Sequence, residues 1–184
     1  MPQVSNRQIA LKPQDLYVVL ALASRPEPLA SLYPQLAALT GLAVSAVHAS
    51  LKRAAASKLV LFQERKPQVL KPALLEFLEH GARYAFPPVL GGLTRGLPTS
   101  YAAEPLNKII APTADPPPVW PHPKGTARGL MLAPLYPSVP EAASKDAPLY
   151  AALALLDALR IGQARERDAA LKLLKSQLLG TGKQ

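Results

Sequence analysis

Leu16, Val19, Leu20 and Ala23 recur at the three- and four-residue spacing of one helix face, the first of six such runs along the chain. Lys12-Pro13-Gln14-Asp15 opens this helix, because proline is tolerated in a first turn and an acid there complements the positive helix end. Arg25-Pro26-Glu27-Pro28 closes it, since residues before proline are pushed out of the helical region. A second helix is predicted from Ser31 or Tyr33 to Thr40, with Leu32, Leu36 and Leu39 as its stripe and Gly41 as its stop. The third, roughly Val44 to Ser57, turns Val47, Leu51 and Ala54 to one side and leaves Ser45, His48, Ala49, Lys52 and Arg53 on faces free for solvent. Leu59-Val60-Leu61-Phe62 is β-prone and Glu64-Arg65-Lys66-Pro67 reads as a charged turn before Val69-Leu70, which together predict a short wing. It lacks an Asn-Gly or Asp-Gly signal, and Pro67 interrupts it. A fourth helix starts near Pro72, buries Leu74, Leu75, Leu78 and Ala82, and ends before Pro87-Pro88.

The pattern then changes. Residues 87–140 hold 13 prolines and 5 glycines, so regular structure should be sparse there. Leu90, Leu93, Tyr101, Trp120, Leu130, Leu132, Leu135 and Tyr136 are nevertheless too apolar for a solvated linker, which predicts extended segments laid over the helices or over a partner subunit. Helical periodicity returns at Asp146-Ala147-Pro148, a cap with proline behind it, followed by Leu149, Leu153, Leu156 and Leu159. Gly162 interrupts the run, and Ala169, Leu171, Leu174 and Leu178 form a second helix ending before Gly180, giving a helical hairpin. The resulting division is 1–86, 87–145 and 146–184.

Composition narrows the class. A hydrophobic share of 49% argues for a packed core, and the absence of cysteine removes disulfides, thiolate metal sites and cysteine nucleophiles. Neither a signal peptide nor a stretch approaching about 18 apolar residues is present, so a soluble cytoplasmic protein with no membrane span is expected. The net charge of +9 is unevenly spread: +6 falls on Met1 to Leu75, zero on Glu76 to Ala147 and +3 on Pro148 to Gln184. A cationic N-terminal part favours a polyanionic partner.

The segment from Leu36 through Thr40-Gly41-Leu42-Ala43 to Leu51-Lys52-Arg53 resembles the helix-turn-helix of bacterial winged-helix regulators of the MarR and ArsR types. Ala54 to Val60 is similar to the usual passage from recognition helix into the first wing strand. The resemblance covers Lys12 to Leu70, about a third of the chain; the C-terminal half carries none. It implies double-stranded DNA as partner, with Ser45, Ala46, His48 and Ala49 facing bases, Lys52 and Arg53 at phosphates or the groove edge, and Arg65 and Lys66 on neighbouring backbone from the wing tip.

Other motifs are weaker. Three scattered histidines make no zinc pattern, and no nucleophile elbow is present, so no cofactor, no metal and no enzyme are expected. Gly91-Gly92-Leu93-Thr94-Arg95-Gly96 lacks the Lys-Ser/Thr ending of a phosphate loop and reads as a structural turn. Trp120 among prolines reads as a packing anchor, and Arg160, Arg165 and Arg167 beside Asp157, Glu166 and Asp168 as surface ion pairs. The whole reads as a mainly α protein: a winged helix-turn-helix with a short β wing, a proline-rich wrapping segment, and a C-terminal helical hairpin for dimerisation or packing. The expected function is a nucleoid-associated transcription regulator, a homodimeric repressor on a palindromic operator; the alternative is a DNA-binding antitoxin or adaptor whose C-terminal half holds a partner protein.

Overall fold

The computed structural model describes residues 8–25 and 31–180. Within them eight α-helices dominate and five strands form two small sheets, so the molecule is mixed α/β with helix in the majority.

Helix α1 (Pro13–Ala23) lies at the centre, with Leu16 to Ala21 wholly buried. It ends at Ser24, whose N–H bonds back to the Leu20 carbonyl; Pro26 and Pro28, the expected stop, lie outside the described residues. Helix α2 (Leu32–Thr40) closes on Gly41 at φ 69°, a left-handed backbone that glycine adopts without the Cβ penalty, with Leu42 N–H returning to the Ala37 carbonyl. Helix α3 (Val44–Ala56) leaves that turn at 102° to α2 and buries Val47, Ser50, Leu51 and Ala54.

Strands β1 (Val60–Gln63) and β2 (Lys66–Val69) form an antiparallel hairpin whose two-residue turn, Glu64 at φ 48° and Arg65 at φ 65°, has both centres left-handed. That is the twist-matching turn type usually made with glycine or asparagine. Pro67 does not interrupt the pairing. The Gln63–Lys66 pair beside the turn is of the hydrogen-bonded kind, so the next pair, Phe62–Pro67, is not, and the missing proline donor leaves no ladder bond unmade.

The fourth predicted helix is divided at Gly81 into α4 (Lys71–His80) and α5 (Ala82–Ala85).

Residues 87–140 differ from expectation. Instead of extended wrapping segments they build a closed three-stranded unit: β3 (Leu90–Pro98) pairs antiparallel with β4 (Pro118–Pro121) and β5 (Ala127–Leu132), and β4 runs parallel to β5. The Gly91–Gly96 segment is strand rather than turn, with a register shift between Leu90 and Leu93. Glycine fits because the strands crowd together: a Cβ on Gly129 would stand 1.9 Å from the Pro117 carbonyl oxygen, closer than any side chain allows. Trp120 is the anchor expected of it, 1% exposed, its ring 5.4 Å from that of Tyr150.

Short helix α6 (Val139–Ala143) leads into α7 (Ala147–Ile161), capped by the Asp146 side chain accepting from Leu149 N–H, and α8 (Ala164–Leu179) folds back against α7. The Asp157–Arg160 pair is not at the surface as expected but buried under the small sheet. Asp157 accepts from Arg160 at 2.7 Å, Thr99 at 2.8 Å and the Trp120 indole at 2.7 Å, and Arg160 also donates to the Phe86 and Pro87 carbonyls. Burial pushes the Asp157 carboxyl up against the pull of Arg160, Thr99 and Trp120.

One hydrophobic cluster runs from Leu16 through Trp120 to Leu178, so residues of all three sequence segments share a core. No single helix among the described residues is long and apolar enough to cross a membrane.

Candidate nucleic-acid interface

Burial of Val47, Leu51 and Ala54 fixes the rotation of α3 and thereby the side it turns outward. Ser45, His48 and Lys52 are exposed on that side, and Ala46 and Ala49 are half-buried at its margins. The β1–β2 hairpin stands beside the helix and carries Arg65 and Lys66, both exposed, at its tip. His48, Lys52 and Arg65 come together around an open groove of about 610 Å³, completed by Tyr33 from α2, Ala55 from α3 and Phe62 from β1. Among the described residues, later parts of the chain brace the α2–α3 turn without covering this face: the Ser138 hydroxyl donates to the Thr40 carbonyl at 2.6 Å, and its Cβ lies 3.4 Å from where a Cβ on Gly41 would be.

Arg53 departs from its expected place. Its Nε and Nη2 donate to the two oxygens of Asp15 at 2.9 and 2.7 Å, and Asp15 is wholly buried on α1. This fork-to-fork bond to Asp15 raises the Arg53 pKa further. Asp15 accepts in addition from the Lys12 N–H at 2.9 Å, so its role is wider than complementing a helix end. The reason is angular: position 53 lies one residue past Lys52, about 100° around the helix, and faces α1 instead of solvent. Gln14 beside Asp15 donates to Ser50 at 3.0 Å, which locks the same α1–α3 seam. Arg53 thus holds the presenting helix in place, while Lys52 is the cation it presents.

Two aromatic members of the groove are not marked by the sequence pattern: Tyr33 reads there only as a possible helix start and Phe62 only as part of a β-prone run. The Tyr33 ring sits 5.3 Å from the His48 imidazole at 49°, so α2 places an aromatic ring beside His48. The available signal was scarcity: in a chain with three Phe, six Tyr and one Trp, two aromatic residues flanking the cationic helix stand out.

Chemically, the face offers two cations, a histidine able to donate or accept, a hydroxyl and two aromatic surfaces, which suits an anionic polymer with base edges or faces. Among the described residues no three His, Asp or Glu side chains converge as a metal site would need. Comparison with protein-family profiles, with curated proteins and with solved structures finds no match for this chain.

Proposed function

We propose that this protein binds double-stranded DNA as a winged helix-turn-helix transcription regulator, with α3 in the major groove and the β1–β2 hairpin as its wing. The observation that carries the reading is the uncovered face of α3, on which His48 and Lys52 line up with Arg65 of the hairpin. The 102° between α2 and α3 falls in the range of helix pairs that place one helix across the backbone and the next in the groove. A major groove about 12 Å wide accepts a helix whose leading side chains are as small as Ser45, Ala46 and Ala49. Longer Lys52 and Arg65 then reach phosphates, which position the protein, while Ser45 and His48 meet base edges. The further proposal is a homodimeric repressor, two copies of α3 sitting about 34 Å apart on a palindromic operator.

Selection of preferred duplexes from a random-sequence pool tests the base-reading assignment. Ser45→Ala and His48→Ala are expected to change the selected sequence, each costing about 1–3 kcal/mol of discrimination at one base pair. An unchanged preference, or equal loss on selected and random duplexes, removes both residues from base reading.

A further inference from the structure

The small sheet presents a second surface that the DNA reading leaves unused. Leu93 stands opposite Leu130 and Arg95 opposite Arg128 in the antiparallel β3–β5 pair. Residues two apart on a strand share a face, so the two leucines and two arginines form one patch, apolar at one end and doubly cationic at the other. All four are exposed, Leu93 to 56% and Leu130 to 42%, and Val89 and Leu90 extend the apolar end toward the strand's start. Like charges placed directly opposite across two strands repel. Neither arginine forms an ion pair among the described residues, and the side chain of Arg95 makes a single hydrogen bond there, from Nε to the Gly125 carbonyl at 2.8 Å.

The strand itself is open beside this patch. β4 pairs with β3 only from Gly96 to Pro98, so Leu90 to Thr94 has β5 on one side and, among the described residues, no strand on the other. An uncovered edge of this kind is a template for another strand. The close approach of neighbouring chain explains Gly96 and Gly129, and the bulge between Leu90 and Leu93 accounts for Gly92, where a Cβ would meet nothing within 4 Å, so this stretch of the strand is open to an incoming chain.

We infer that β3 is a docking edge for an extended segment of another protein, apolar at alternate positions and acidic where it passes Arg95 and Arg128. Main-chain hydrogen bonds along Leu90–Thr94 hold the incoming strand, the Leu93–Leu130 face receives its apolar side chains, and its carboxylates relieve the arginine repulsion. A second copy of this chain fits poorly, because a two-fold contact would set arginine pairs against each other on a molecule of net charge +9. A lipid surface would meet the leucines and arginines but would not supply a ladder to the open edge.

The test is selection of binders to the full chain from a library of random dodecapeptides, followed by fluorescence anisotropy on the enriched peptide. The expected result is enrichment of alternating aliphatic and acidic residues. Affinity should fall at least tenfold for the double variant Arg95→Glu with Arg128→Glu, tenfold for Leu93→Ser, and tenfold when the peptide's amides are N-methylated to block strand addition. Single Arg128→Glu places opposite charges across the strands, so it should melt no lower than wild type and keeps the test independent of folding. The inference is overturned if no peptide is enriched, if enriched peptides lack acids, or if binding survives the charge reversal or N-methylation. It is equally overturned if no peptide binds but phosphatidylglycerol vesicles retain the protein through these arginines, or if the patch dimerises the chain and Leu93→Ser abolishes that dimer.

Discussion

Tyr17 and Tyr150 are buried deeply enough that their hydroxyls are pushed up to about 12, and each donates to a backbone carbonyl, of Thr40 and of Pro98. In the unfolded chain a tyrosine ionises near pH 10, so the folded state holds these protons more tightly. Their contribution is complete below about pH 10 and is lost as the pH rises toward 12, at up to about 1.4 kcal/mol per pH unit for each group. Urea unfolding between pH 9 and about 11.5 should follow that decline, and Tyr17→Phe should flatten it; a level profile in wild type contradicts the assignment. Asp157 makes a different demand on the interior. With Arg160, whose side chain is 4% exposed, it is a buried ion pair satisfied by Thr99 and Trp120. Asp157→Ala strands the guanidinium without a counter-charge, and a loss of about 3–5 kcal/mol is expected in denaturant titrations followed by the fluorescence of the single Trp120. A loss below about 1 kcal/mol would mean that this pair does not tie the sheet to α7.

Among the elements, the β1–β2 hairpin sets stability against purpose. Glu64 and Arg65 occupy left-handed backbone that glycine takes at no cost, which puts a cation at the tip at the expense of the turn. Arg65→Gly should therefore raise the unfolding free energy by about 1 kcal/mol and weaken duplex binding in the same protein; a destabilised variant that binds as well as wild type would reverse both halves of that argument. The hairpin also shows where the sequence was legible and where it was not. Its first strand and the helices around it were readable because each has its own apolar run or stripe, as with Leu16, Val19, Leu20 and Ala23 or Val47, Leu51 and Ala54, whereas the second strand begins at Lys66, inside the stretch that reads as a charged turn. Pro67 was misread because its tolerance depends on which pair of the ladder it occupies, a property of register and not of composition. The β3–β4–β5 unit was missed for a related reason. Its glycines look like breakers, yet Gly96 and Gly129 are there because strands crowd against them, and that is decided by chain far away in sequence. The pairing of Arg53 was not legible because its partner, Asp15, sits 38 residues earlier on another helix. His48, Lys52 and Arg65 were placeable from the motif, whereas Tyr33 and Phe62 joined them only through tertiary packing.

At the scale of the molecule, α1 touches both α3 and α7, and Arg25 after α1 pairs with the Asp146 that caps α7, so the presenting helix is anchored to the C-terminal hairpin through a single core. A rigidly held α3 is what docking into a groove requires, since a reader that must order itself loses affinity to the entropy of doing so. The central claim is that Lys52 and Arg65 neutralise DNA phosphates while Arg53 does not. The measurement is the dependence of duplex binding on salt, compared among wild type, Lys52→Ala and Arg53→Ala. Removing a phosphate contact should lower the slope of log K against log salt by about 0.9 for Lys52→Ala, with the Arg53→Ala slope unchanged in whatever fraction stays folded. Lack of duplex binding by wild type, or identical slopes for wild type and Lys52→Ala, would contradict the account.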